Sequence, residues 1–427
     1  MKRRTVITGM GAVTPLGLNV KDSWEALISG TSGVDIVSLF DASTFKTKIA
    51  AEVKNFDFSV FKDFGAKQNF MSRACFFITA AAKEAIFSSG IDIDIIDPFK
   101  FGISLGTGEE YISISQFEEV FGEEKIYDSL ITGRHYFDDS NFLGRIWPLR
   151  RSANIPSTML STIYNARGPN YTSVTACSSS GHAIGIAMRT IESGDADIML
   201  AGGGDSLINE FAYTGLSLLG ALSKNNKEPK KASRPFDLNR DGFVIGEGAG
   251  IVVIEELTHA RRRKANILAE LTGFGTSSNA YRIADCSPDG SGLDISIKKA
   301  LEDARKTPDD IDYINAHGTS TLINDRSETS AIKKVFGKKA YEVLISSNKS
   351  MIGHLIAGAA GVELIMSVET LINNIVPPTI NLEMPDPFCD LNHVSNFAAE
   401  REMNAILSNS FAFGGQNNSI IIERYTN

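Results

Sequence analysis

Short β-branched and aliphatic runs alternate along the chain with longer segments of helical spacing. Thr5 to Gly9 is a β-branched run ending in a glycine-rich turn, GMGAVTPLG. Asp22 to Ser29 reads as a helix capped by Asp22, and Met71 to Ser88 as a buried helix with small residues. Phe101 to Leu105 is the next strand. Residues around 108–150 lose the periodicity and are rich in aromatics and acids, as in an excursion that covers a pocket or forms a subunit contact. Val174 to Ala176 reads as the end of a buried strand, and Ile184, Ile186 and Met188 as the buried spacing of the helix after it. IMLAGGGDS (198–206) and IVVIEE (251–256) are buried strands, separated by a basic, proline-containing surface loop at 224–237. The glycines at 242, 246, 248 and 250 precede a strand instead of following one, which suits close backbone packing better than a nucleotide loop.

From residue 269 the pattern starts again. A strand ends in a glycine-rich turn at 273–275. Then come a helix (Ser296 to Lys306), a strand (IDYINAHG), a charged helix (Asp325 to Phe336), a strand (VLISSNKS) and a buried helix (Gly358 to Leu371). An extended loop, VPPTINLEMPDP, leads to two last strands, NAILSNS and SIIIERY, around FAFGGQNN. Strands and helices alternate throughout, so the fold class is α/β. The two similar halves suggest an internal duplication, although no repeat shows in the letters.

Composition narrows the picture. The 427 residues are 43% hydrophobic and 22% charged, an ordinary globular balance with material for a large core. A net charge of -9 speaks against nonspecific nucleic-acid binding. Cys75, Cys177, Cys286 and Cys389 lie far apart, with no paired spacing and no histidine at ligand spacing, so no metal site or disulfide framework is expected. No apolar run approaches the roughly 20 residues of a membrane span, and no signal-peptide core is present. A cytoplasmic setting is expected.

Candidate chemistry sits at three strand ends. Cys177 in VTACSSSGHAIG stands where a strand meets a helix N-terminus, where free N–H groups and the helix dipole favour a thiolate. The bland alternative is an inert core cysteine. His317 follows the strand IDYIN, and Lys349 and His354 follow VLISS. Each taken singly reads as a core histidine or a solvated lysine. Together, three reactive side chains at three strand ends, each beside Gly, Ser or Thr, point to one site. His135, His182, His259 and His393 lack that context, and Cys75, Cys286 and Cys389 read as structural. The GMG turn has neither the spacing nor the following helix of a dinucleotide-binding loop, so an oxidoreductase is the weaker reading.

The chain resembles the β-ketoacyl-[acyl carrier protein] synthases of the thiolase superfamily, most of all the elongating enzymes of the type II system. TACSSSGHAIG, GDADIMLAGG, ASRPFDLNRDGFVIGEGAG, INAHGTST, SSNKSMIGH, VPPTINL and NSFAFGG carry the resemblance in order, most densely from residue 168 onward. It implies a duplicated five-layer αβαβα fold, with an N-terminal half over 1–260 carrying the nucleophile and a C-terminal half over 261–427 carrying the two histidines. It implies Cys177 as nucleophile, and His317 and His354 in decarboxylation and enolate stabilisation. Lys349 is implied in a supporting polar network with Asp325 and Glu328. Phe413 is implied as acyl gate and, with Cys177, as oxyanion-hole N–H. Thr319, Thr321, Gly414 and Glu109 fall where substrate is held. No metal or bound cofactor is implied; substrates arrive on the phosphopantetheine of acyl carrier protein. A homodimer, or a heterodimer with a chain-length-factor-like subunit, is the implied assembly. The basic stretches KNNKEPKK and HARRRK could attract the acidic carrier, though solvated charge explains either alone.

Near relatives differ at telling positions. A degradative thiolase would carry a second reactive cysteine near its C-terminus, but Cys389 sits in PDPFCD. An initiating condensing enzyme would show Asn in place of His354, and a chain-length factor would lack Cys177. Departures from the family pattern, Glu109 in GTGEEY, SANIPSTM before the nucleophile, Leu322 after AHGTST and Gln416 after FAFGG, surround the expected acyl tunnel and dimer contact. They leave open an ordinary fatty-acyl substrate or a polyketide or polyene one. A noncatalytic or partner-dependent subunit of a polyketide synthase is the alternative function.

Overall fold

A computed structural model describes residues 3–108, 114 and 149–426. Among them, ten strands join in one mixed sheet. The first half contributes β1 (Thr5–Val13), β2 (Phe101–Thr107), β3 (Asn170–Ser173), β4 (Ile198–Ser206) and β5 (Glu247–Glu256). The second contributes β6 (Ala269–Ser278), β7 (Tyr313–Asn315), β8 (Leu344–Ser346), β9 (Ala405–Phe411) and β10 (Gln416–Glu423). The order across the sheet is β8-β7-β9-β10-β6-β1-β5-β4-β2-β3. Counted within each half, both read 3-2-4-5-1, with the fifth strand antiparallel to both its neighbours. The repeat invisible in the letters is therefore explicit in the topology. A short antiparallel pairing of β1 with β6, from Thr5 opposite Leu271 to Ile7 opposite Ala269, joins the halves.

The helices repeat as well. α1 (Val20–Ile28) lies outside the repeat. In the first half α2 (Arg73–Ser89), α3 (Ile155–Tyr164) and α4 (Ser179–Ser193) follow strands one, two and three. In the second half α5 (Leu293–Ala304), α6 (Leu322–Phe336) and α7 (Ala359–Asn373) do the same. α2 packs on β1 and β5, and α5 on β6 and β10, as outer layers. α4 and α7 pack on each other and touch strands of both halves, making the central layer of an αβαβα stack. Close approach there needs glycine. A Cβ on Gly250 of β5 would lie 2.4 Å from Val362 N, and one on Gly361 of α7 would lie 2.5 Å from Gly250 O. The glycines expected to serve packing thus let α7 press onto β5.

That position also corrects an expectation. The helical stretch Ile356–Asn373 is long and apolar enough to cross a membrane, contrary to the sequence reading. Here it is apolar because strands of both halves pack around it, and 83% of it is buried in the fold.

Several element ends differ from the sequence reading for local reasons. α1 is capped by Asn19, whose side chain accepts the Asp22 N–H at 2.8 Å, so Asp22 sits in the first turn instead of capping it. α2 starts at Arg73 behind a Ser72 cap. β3 stops at Ser173, and Val174 is 48% exposed. β8 stops at Ser346 because Thr379 Oγ1 takes the Ser347 N–H at 2.9 Å, and Lys349–Ile352 is a short helix instead of strand. The loop at 224–237 is exposed only in its first part, since Ala232, Ser233, Phe236 and Asp237 are buried. Glu109, His135 and most of the excursion around 108–150 lie outside the described residues.

Candidate active site

β3, β7 and β8 end on the same side of the fold and deliver their following residues to one cavity of about 460 Å³. Cys177, His317, His354, Thr319, Thr321 and Phe413 all line it. Cys177 occupies a tight turn between β3 and α4, behind Ala176 at φ +48°. One side-chain atom each from Cys177, His317 and His354 lie within 4.8 Å of one another. The two imidazoles meet edge to face, with centroids 5.3 Å apart at 83°.

Both histidines are buried, and both imidazoles are held well below their ordinary pKa, first by burial and then by the nearby Lys349 charge. They are neutral at pH 7. His354 Nδ1 accepts the Ile356 N–H at 3.2 Å, which places its proton on Nε2. That nitrogen is buried and has no partner among the described residues. His317 is clamped through its backbone: Glu328 accepts the His317 N–H at 2.9 Å and the Gly318 N–H at 2.8 Å. Its ring packs edge-on against Phe411 at 5.9 Å.

These shifts carry a pH signature. The unfolded chain recovers imidazoles of ordinary pKa, 6.5, and so binds more protons than the folded chain below that pH. Stability is therefore lost as the pH falls through 6.5, by up to about 1.4 kcal/mol per pH unit for each histidine. Chemical denaturation at pH 7 and at pH 5.5 should show that slope. His354→Gln should lower it by up to one histidine's share.

The thiol departs from expectation. Burial pushes Cys177 up to about 11, while the Phe413 N–H, Lys349 and the Cys177 N–H pull it down and Asp205 pushes it up. Burial outweighs those N–H groups and the Lys349 charge, which favours the thiol form of the resting sulfur. The Phe413 and Cys177 N–H groups nonetheless lie close enough to the sulfur to act on it.

The acids around Lys349 also rearrange the expected network. Lys349 Nζ pairs with Glu363 of α7, and their side chains are 1% and 0% exposed. Asp325 instead pairs with Arg240 at 3.2 Å and accepts the Phe236 N–H at 2.9 Å. Glu328 serves the His317 backbone, and burial pushes it up to about 7. Glu363 was missed by sequence reasoning; its signal is a lone acid in the apolar run AAGVELIMS. Removing one partner of this pair leaves a buried charge, so Glu363→Met should destabilise by about 3–5 kcal/mol. The double change Lys349→Met with Glu363→Met should recover most of that loss in thermal unfolding.

Thr319 and Thr321 share a hydroxyl contact of 2.9 Å at the cavity wall. Gly414 does not line the cavity. At φ +86° it forms the turn after Phe413 and donates its N–H to Ile283 O at 2.8 Å. Cys286, read as structural, lines the cavity, whereas Cys75 and Cys389 are buried elsewhere. His182 braces the start of α4 against Asn418 and Thr276, His393 stacks on Phe236, and His259 pairs with Glu255. Arg263 in HARRRKAN is tied to Glu255, so that stretch is only partly solvated.

Known proteins resemble this chain in sequence and in fold. The β-ketoacyl synthase N-terminal domain family matches residues 2–260, and the C-terminal domain family matches 268–383. The 3-oxoacyl-[acyl-carrier-protein] synthase 2 of Coxiella burnetii is 43% identical over 426 residues, covering 99% of each chain. A type II polyketide ketosynthase, solved bound to a hexaketide with its acyl-carrier protein, superposes with a TM-score of 0.87 at 31% identity, covering 100% of each chain. The ishigamide ketosynthase/chain length factor gives the same score, identity and coverage. By its sequence over nearly its whole length and by its fold, the chain belongs to the β-ketoacyl synthase family.

Proposed function

We propose that this protein lengthens acyl chains by two carbons, condensing a malonyl thioester with an acyl thioester, both carried on the phosphopantetheine of an acyl carrier protein. The convergence of one sulfur nucleophile and two neutral imidazoles on a single cavity carries this reading. The likeness to 3-oxoacyl-[acyl-carrier-protein] synthase 2 supports the reaction class.

Cys177 attacks the acyl thioester carbonyl. A carbon–sulfur bond to the enzyme forms, the carrier's phosphopantetheine leaves as a thiol, and the Cys177 proton goes with it. Malonyl thioester then enters and loses carbon dioxide. The bond between its methylene carbon and the carboxylate breaks, and that bond's electron pair moves toward the thioester oxygen as an enolate. His354 Nε2–H and a ring N–H of His317 are the donors for that oxygen; being neutral and desolvated, they act at full strength without first losing water. The enolate carbon attacks the acyl carbonyl on Cys177, and the sulfur leaves and is reprotonated. The N–H groups of Cys177 and Phe413 receive the oxyanion of that step. Phe413 is 37% exposed at the cavity and is followed by two glycines of positive φ, a hinge that suits a gate. Thr319 and Thr321 offer hydroxyls to the entering arm.

Loss of carbon dioxide drives bond formation, so the chemistry calls for no metal or organic cofactor. The three converging side chains are also a set that a metal ion could use. A metal on His354 Nε2 would move the ring proton to Nδ1, where the Ile356 N–H already points, so the geometry fits the proton better.

The partners follow from the same reading. An acyl carrier protein delivers both substrates. Among the described residues β3 is an edge strand, with Tyr171 40% exposed on it and Val174 48% exposed beyond it, and such an edge suits a second subunit. That subunit is a copy of this chain or a chain length factor, as beside the ishigamide ketosynthase. The repeated strand order supports division into halves at about 260 and 261. Four cysteines outside any disulfide suit a reducing cytoplasm.

A panel of acyl-carrier thioesters of different length and unsaturation, mixed with malonyl-carrier protein, tests the reading. The expected product is a 3-oxoacyl thioester two carbons longer, with one carbon dioxide released per turn. No longer product from any loaded carrier overturns it.

A further inference from the structure

We infer that Asp205 is a positioning residue for His354, holding the strained turn that decides which ring nitrogen of that histidine carries the proton. The inference rests on the condensing reading above. Asp205 lies near the end of β4 and is 3% exposed. Its Oδ2 accepts the Ala357 N–H at 3.1 Å, and its Oδ1 accepts the adjacent Ser206 N–H at 2.9 Å. Among the described residues it pairs with no cation. A buried carboxyl in that state is costly, and burial pushes it up to about 7. Packing alone does not explain an acid there.

What it holds is a turn of one 3₁₀ coil, Ile356–Gly358, directly after His354 and Leu355. Ile356 has φ +45°, a region that a β-branched residue adopts only when its surroundings impose it. That conformation aims two successive N–H groups in useful directions. Ile356 N–H meets His354 Nδ1 at 3.2 Å, and Ala357 N–H meets Asp205. The far side of the turn rests on the sheet: a Cβ on Gly358 would lie 2.9 Å from Gly204 Cα. His354 itself is anchored by its backbone, donating to Val244 O at 2.7 Å and accepting from Gly246 N–H at 2.9 Å.

The chain of cause is short. Without the carboxylate, the Ala357 N–H is buried and unpaired, and Ile356 loses the contact that keeps it in the left-handed region. Relaxed, Ile356 withdraws its N–H from Nδ1. The ring is then free to carry its proton on Nδ1, and Nε2 becomes an acceptor facing the substrate oxygen. Decarboxylation suffers while the acyl-transfer step on Cys177 does not.

The test compares Asp205→Ala and Asp205→Asn with the unaltered protein and with His354→Ala. Two half-reactions are read: acyl transfer from acyl-carrier protein to Cys177, and carbon dioxide release from malonyl-carrier protein. Asp205→Ala should slow carbon dioxide release at least about tenfold and leave acylation within about twofold. Asp205→Asn keeps an acceptor for Ala357 and should lose no more than about threefold. Amide exchange measured by mass should quicken in the peptide spanning 355–358 of Asp205→Ala and stay unchanged in the rest of the core. Equal slowing of both half-reactions, or carbon dioxide release at the unaltered rate in Asp205→Ala, overturns the inference. If the unaltered protein releases no carbon dioxide, or His354→Ala releases it normally, the condensing reading itself fails instead.

Discussion

Replacing His354 with alanine should cut carbon dioxide release from malonyl-carrier protein by about a hundredfold or more, while acyl transfer to Cys177 proceeds within about threefold of its normal rate. The asymmetry follows from where the nitrogen points. Nδ1 is committed to the Ile356 N–H, so Nε2 alone faces the cavity, as a donor. A donor helps only a step that builds charge on an oxygen within its reach; the oxyanions at the acyl carbonyl fall to the Cys177 and Phe413 N–H groups, which leaves the enolate to His354. Burial and the Lys349 charge keep the ring neutral, so the site adds no second positive charge beside Lys349. His317→Ala should show the same split, because its ring lies 5.3 Å from that of His354 in the same cavity. Rates of isotopically labelled carbon dioxide release and of acyl-enzyme formation check both. Equal losses in the two half-reactions would contradict the division of labour.

Replacing Cys177 with alanine should abolish the acyl-enzyme and reduce condensation by at least about a thousandfold. The two imidazoles remain, so malonyl-carrier protein should still lose carbon dioxide, uncoupled from chain extension. A buried alanine in place of a buried thiol should change stability little; the melting temperature checks that the fold survives. This variant also decides against the noncatalytic reading. A scaffold subunit would support unchanged pathway output without its sulfur, whereas a catalytic one would not.

Much of the site could be read from the chain because it lies at strand ends. Cys177, His317 and His354 each come shortly after a strand and sit among Gly, Ser and Thr, and the fold brings those three ends to one cavity. The support around them was less legible. Asp325 and Glu328 lie on α6 close after His317 in sequence, yet Arg240, far away in the chain, takes Asp325. Glu363 takes Lys349 from within a helix whose composition speaks only of burial. The burial of the sulfur was less legible for a related reason: a helix N-terminus shows in the letters, but the desolvation that pushes the thiol up does not. The duplication showed in the alternation of elements, whereas the common strand order required the pairings. The cap of α1 illustrates the limit of local rules: Asn19 and Asp22 are equally good caps, and only the backbone shows that Asn19 has the extended conformation.

Intact-mass measurement of the protein after incubation with acyl-carrier protein, followed by peptide mapping and a chase with malonyl-carrier protein, bears most directly on the claim that one sulfur and two neutral imidazoles share a reaction chamber. The acyl mass should appear on Cys177, and should leave on the chase as a thioester two carbons longer. An adduct on Cys75, Cys286 or Cys389 instead, or one on Cys177 that malonyl-carrier protein cannot discharge, would contradict it.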